Sequence, residues 1–205
     1  MAVASLCRLW QNGRKLIGRN NMLSVRLSIV VSLFLTGLAV AGTINVPADY
    51  PTIQEAVDAA VNGDEIVVGP GTYTVANSYV VRMSGKAIWL HSSDGAEVTI
   101  IDGSGQHRGI ECVEGEGPGT IIEGFTIRNC DDGQGEGVGG GIFIANSSSP
   151  IIRNCVIRDS TAFYGGGIGV DLSSSPVIED CLVQDNRGVG GAYGGVAGVD
   201  NEKNL

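Results

Sequence analysis

The residues in this chain that could carry chemistry sit in a repeating pattern. Arg128 and Arg158 occupy equivalent positions in Thr126-Ile-Arg-Asn129 and Val156-Ile-Arg-Asp159. If these segments stack as successive coils, the two guanidiniums lie about 5 Å apart. Asn129, Asp159 and Asp185 then form the adjoining column. That strip sets bases beside acids, the material from which acid–base chemistry is built. A purely structural use competes with it. The nearby column Glu123, Arg153, Glu179 alternates in sign, as cross-strand pairs do when they stabilise a sheet face.

Asp131, Asp132 and Glu136 fall in a glycine-rich stretch. Oxygen ligands gathered in a loop can hold Ca²⁺. Their spacing matches neither an EF-hand nor a glycine-rich calcium-binding nonapeptide, so solvated loop acids are the alternative. The cysteines after Cys7 are Cys112, Cys130, Cys155 and Cys181. Lacking CxxC pairs, they argue against zinc. Cys155 and Cys181 are equivalent on successive repeats, within reach of a disulfide that an oxidising compartment would permit. A ladder of buried thiols is the competing arrangement. His91 and His107 are isolated and read as surface or corner residues. No Ser-His-Asp order, phosphate loop or dinucleotide fingerprint occurs.

What must position these residues is a repeat. Gly165–Asn186 restates Gly139–Ser160, with Ile142 on Ile168, Pro150 on Pro176 and Cys155 on Cys181. Short β-branched runs separated by Gly, Ser and Asn corners are the mark of a solenoid in which each repeat forms one coil. Three columns can be traced: Ile122, Ile152, Ile178; Phe125, Cys155, Cys181; and Ile127, Ile157, Val183. Inward residues three apart break the two-residue period of a strand, so a corner must intervene. Gly124, Asn154 and Asp180 stand there, residue types that tolerate left-handed backbone. Candidate strands run from Glu65–Val68 to Val196–Val199, with Thr43–Pro47 as a short strand before them.

One helix is expected. Thr52-Ile-Gln-Glu55 reads as a capping box, and Ile53, Ala56, Val57, Ala60 and Val61 make an apolar stripe ended by Asn62-Gly63. Its expected task is to cover the open end of the stack. Residues 42–64 thus hold a strand and a capping helix, and residues 65–205 the coils. Tyr193–Asp200 restates Tyr164–Asp171 and the chain then ends, so further coils, or self-association at an open edge, are expected there.

Residues 1–41 read as a secretion signal, with Met22 an alternative start: a basic lead, the apolar run Leu27–Val40 and the A-x-A pattern Ala39-Val40-Ala41. A secreted or cell-surface location follows, with no membrane association after cleavage. All 22 acids follow Ala41, against 8 basic residues there, a net charge of −14. That surface argues against nucleic acid as a partner and would repel a polyuronate unless cations bridge the two.

Pro51–Ala60, Gly63–Val68, Pro70-Gly-Thr-Tyr73, Val98–Gly103 and the Ile-x-x-Cys-x-Ile coils resemble right-handed parallel β-helix proteins of the pectate-lyase-like superfamily. The resemblance implies an all-β, single-stranded right-handed parallel β-helix. Lyases of that fold take a proton beside a calcium- or Arg-neutralised carboxylate, a role that would fall to Arg128 or Arg158. Asp131-Asp132 is similar to a hydrolase dyad, but the Gly-His-Gly and Arg-x-Lys segments are absent. An esterase-like match is confined to the cap and first coil, and its Gln-Asp-Thr type segment is missing. The expectation is a secreted, non-catalytic protein associated with carbohydrate or a cell-surface glycan. A polysaccharide lyase or glycoside hydrolase, or a fragment of one, is the alternative, and a structural or adhesive repeat module the third.

Overall fold

The computed structural model describes residues 41–74, 78–132, 137–171 and 173–190. The expected leader up to residue 40, Glu136 and the candidate strand Val196–Val199 lie outside them.

Each coil is built from three very short strands because its apolar runs are only two or three residues long between corner residues. The strands stack into three parallel sheets. A six-stranded sheet runs Thr43–Val46, Glu65–Val68, Trp89–Ser92, Ile121–Glu123, Ile151–Arg153, Val177–Glu179. A five-stranded sheet holds Gly71–Tyr73, Thr99–Asp102, Thr126–Arg128, Val156–Arg158 and Leu182–Gln184. A four-stranded sheet holds Tyr79–Arg82, Arg108–Cys112, Ile142–Ile144 and Ile168–Val170. The two-residue strands Thr161–Ala162 and Arg187–Gly188, which the sequence reading did not anticipate, also pair in parallel.

Register puts like upon like. Leu90, Ile122, Ile152 and Ile178 align in the six-stranded sheet, the first three fully buried. Ile101, Ile127, Ile157 and Val183 align in the five-stranded sheet, and Ile110, Ile142 and Ile168 in the four-stranded one. Phe125, Cys155 and Cys181 are buried beneath the corner that joins two of the sheets. Full burial of one such side chain contributes about 1.5–3 kcal/mol, so the stack of aliphatic layers is the core.

The corner is the expected one. Gly124, Asn154 and Asp180 have φ of 76°, 54° and 50°, a left-handed turn that lets the chain change sheets within one residue. A second corner follows after a three-residue strand, at Asn129, Asp159 and Asp185, with φ of 50°, 52° and 54°. The glycine triplets close the other side of the coil. A Cβ at Gly141 would come within 2.5 Å of the Gly167 carbonyl oxygen, so the coils pack backbone on backbone there.

The helix spans Ile53–Ala59 and lays Ile53, Ala56 and Val57 on the core. Thr52 caps it by accepting the Glu55 amide at 3.2 Å. It ends earlier than the apolar stripe suggested: Ala60 is extended, and Val61 is exposed rather than buried. The cause is local chemistry. Asp64 accepts the Val61 and Gly42 amides at 2.8 Å each, and Lys86 Nζ donates to the carbonyls of Val57 and Asp58 at 2.6 and 2.8 Å. Gln54 shows how the helix protects an edge. Its amide accepts the Arg82 N–H at 2.6 Å and donates to the Arg82 carbonyl at 3.3 Å, standing in for the neighbour that the first strand of the four-stranded sheet lacks.

Ile152→Ala should therefore lower unfolding free energy by about 2–5 kcal/mol in urea titration. Asp180→Val should cost about 1–2 kcal/mol through its left-handed backbone, while Asp180→Gly should not. Equal losses in the two Asp180 variants would show that the corner is not the constraint.

Candidate functional site

The predicted strip exists, but its side chains are committed. Arg128 and Arg158 are register partners in adjacent strands of the five-stranded sheet. Arg128 Nε donates to Asp102 Oδ2 at 2.9 Å, and Asp102 is its register partner on the preceding coil. Arg158 pairs with Asp159. Each guanidinium is thus already engaged by a carboxylate of this chain. Asp159 and Asp185, like Asn129, are left-handed corner residues, so the backbone accounts for their identity. Beneath that corner runs a polar ladder that sequence reasoning missed. The Ser160 hydroxyl accepts the Cys130 amide at 3.2 Å, Asn186 accepts the Ser160 amide at 3.0 Å, and Asn186 donates to the Ile157 carbonyl at 2.9 Å.

Asp131 bridges to Thr161 as an isolated pair. Asp132 is buried, and its Oδ2 accepts the Phe163 amide at 3.5 Å. A Cβ on Gly137 would lie 2.7 Å from that oxygen and 2.8 Å from Arg108 Nη2, which sets a guanidinium and a carboxylate around one glycine. Among the described residues no group of three or more His, Cys, Asp or Glu is arranged to hold a metal ion.

Cys155 and Cys181 stack on successive coils and are thiols in this structure. Each Sγ donates across the corner to the carbonyl two residues earlier, at 3.3 and 3.2 Å, and Cys130 does the same at 3.0 Å. The adjacent Cys181 thiol, together with burial, holds the Cys155 thiol well above its usual range. Burial pushes Cys130 up to about 12. Cys130 and Cys155 are thus unreactive, space-filling groups, whereas the hydrogen bond with Cys155 holds the Cys181 thiol below its usual range.

Two outward constellations were not foreseen. On the four-stranded sheet, Glu111 is buried and bridges two guanidiniums: Arg82 Nη2 at 2.5 Å and Arg108 Nη1 at 2.9 Å. Arg82 lies 4.5 Å over the Tyr79 ring and Arg108 4.6 Å over the Phe143 ring. A carboxylate so held serves as a tie between coils.

The second lies on the six-stranded sheet. Trp89 and His91 alternate around inward Leu90, so both project outward. Their rings stack at 4.2 Å and 26°. His91 Nε2 meets Glu65 Oε1 at 2.9 Å, and Trp89 Nε1 donates to Glu123 Oε2 at 3.0 Å. Glu123 also accepts from Arg153 at 2.7 Å and from Asn154 at 3.1 Å. This is the expected alternating ladder, with Trp89 fixed to it. At 36% exposure Trp89 remains open to solvent. Below it in register run Ile121, Ile151 and Val177, with Val177 exposed. The result is an apolar stripe across four coils, bordered by Glu65, His91, Glu123, Arg153 and Glu179. Sequence reading missed it because Trp89 pairs with Glu65 and Ile121, partners whose offsets differ from the spacing of the later repeat.

Burial would raise the Glu123 carboxyl, but hydrogen bonds from Arg153, Asn154 and Trp89 and the charge of Arg153 outweigh it and hold the group below its ordinary 4.5. A carboxyl depressed on folding adds stability above its unfolded value, and the gain is lost as pH falls through the folded value. Thermal unfolding of Glu123→Gln should accordingly show a weaker stability decline below about pH 4.5 than the parent. A parallel decline in the two proteins would remove Glu123 from the account. Titration with an aromatic disulfide reagent should find Cys112, Cys130 and Cys155 unreactive in the native protein and reactive in urea. Fast native reaction would contradict their burial.

Residues 37–204 match the family model described as right handed beta helix region. A search of curated proteins returned no match, and neither did a search of solved structures. With three parallel sheets, left-handed corners and a family match over nearly the whole coil region, this chain belongs to the right-handed β-helix family.

Proposed function

We propose that this protein is an extracellular, non-catalytic β-helix protein that associates with carbohydrate. The observation that carries the proposal is the outward Trp89–His91 stack, held at both edges by Glu65 and Glu123 and continued by an apolar stripe over the next three coils. A rigid aromatic ring offers its face to the apolar side of a sugar, and fixed carboxylates beside it accept hydrogen bonds from hydroxyl groups. Both features are in place without rearrangement, which lowers the ordering cost of binding. The leader-like residues 1–41 support export.

The non-catalytic part rests on the commitment of the strip that a lyase would use. Arg128 is held by Asp102 and Arg158 by Asp159, so each guanidinium is already engaged by a carboxylate of this chain.

The test is binding and turnover on one panel of neutral, acidic and amino polysaccharides, with and without calcium. Binding without product, lost at least tenfold in Trp89→Ala while the unfolding temperature is kept, is the expected result. New absorbance in the unsaturated-uronate band, abolished by Arg158→Ala, would establish a lyase instead. Neither binding nor product, together with self-association, would leave an adhesive module.

A further inference from the structure

We infer that the glycan taken by the six-stranded face is an amino sugar polymer carrying protonated amines; this rests on the carbohydrate reading above and narrows it to a ligand class. The stripe Trp89, Ile121, Ile151, Val177 runs across the strands for three coil steps, about 14 Å, so it suits an extended chain rather than a single sugar. An extended peptide is less well served, because strand addition needs a free edge, whereas Trp89–Ser92, Ile121–Glu123 and Ile151–Arg153, which carry most of the stripe, spend their amides and carbonyls on neighbours within the sheet.

Charge then selects among sugars. The register positions along the stripe's border are His91, Glu123, Arg153 and Glu179, and Glu65 reaches His91 from the coil before. Three carboxylates stand against one guanidinium. Even with His91 protonated the border keeps an excess of negative charge. Arg153 is held on Glu123, which leaves Glu65 and Glu179 as the carboxylates at the two ends of the track. The chain after Ala41 carries −14 overall, so the wider field has the same sign. A uronate chain meets repulsion here, a neutral chain meets only the ring and hydroxyl contacts, and a cationic chain gains ammonium–carboxylate contacts and a cation over the Trp89 ring.

The experiment compares oligomers of matched length: glucosamine, its neutral N-acetyl form, galacturonate, and a lysine peptide of equal charge. Binding is followed by calorimetry at about pH 6, where carboxylates are ionised and primary amines protonated. The glucosamine oligomer should bind about tenfold more tightly than its N-acetyl form at low salt, and the gap should close at high salt. Glu65→Gln combined with Glu179→Gln should narrow it too, by weakening glucosamine binding more than N-acetyl binding, and Trp89→Ala should weaken both. Equal affinity for the two glucosamine forms would overturn the inference while the carbohydrate reading stands. Tighter binding of galacturonate, or lysine peptide binding as tight as glucosamine, would also overturn it. No binding of any sugar would overturn both.

Discussion

Parallel pairing in register places each side chain directly over its counterpart one coil back, at the inter-strand spacing of about 4.8 Å. Every other feature of the molecule answers to that repetition. Inward columns must be filled by side chains that stack on themselves, which is why Ile, Val and Leu dominate them and why Phe125 gives way to Cys155 and Cys181 under a tight corner. Corners must recur at the same height, so left-handed geometry is demanded coil after coil and is met by Gly, Asn or Asp. Outward columns bring charges together, so a carboxylate offsets each guanidinium: Glu123 for Arg153 and Asp102 for Arg128 one coil back, and Asp159 for Arg158, which stands in register with Arg128.

The same constraint explains why residues suited to catalysis are not free to perform it. Asp159 and Asp185 hold their places through backbone conformation, Arg128 neutralises Asp102, which stacking brings near, and Arg158 neutralises its chain neighbour Asp159. Glu111, buried between Arg82 and Arg108, is an extreme case: burying one carboxylate is tolerable because two guanidiniums and their flanking rings surround it. Structure absorbs most of the charged residues on the coils. Trp89 stands apart, because beyond its bond to Glu123 and its stacking on His91 the indole is still 36% exposed. An exposed aromatic fixed by hydrogen bonding is the part of the surface most suited to recognition.

Much of this was legible beforehand where the repeat is regular. From Thr120 onward the columns Ile122/Ile152/Ile178 and Phe125/Cys155/Cys181, the corner at Gly124/Asn154/Asp180 and the charge ladder could be placed by alignment alone, since coil lengths vary little. Earlier coils were harder. Glu65 pairs with Trp89 but Trp89 pairs with Ile121, unequal offsets that no fixed period predicts. His91 therefore looked isolated, although Glu65 and Trp89 are both against it. The Asp102 partner of Arg128 did carry a signal, in the Thr-Ile-Ile-Asp run ahead of Gly103, and only the register turns that run into a contact.

By itself, then, the sequence determined the architecture: strand length, corner positions and inward faces follow from local backbone preference and side-chain period, which are properties of short segments. Tertiary structure decided which outward side chains meet. Those meetings depend on the length of each intervening loop, which sets register between coils, and a change in loop length moves a side chain from a partner to open solvent. That is why the fold could be read from residues one at a time, whereas the Trp89 platform and the occupancy of the Arg128–Arg158 strip emerged only once the coils were stacked.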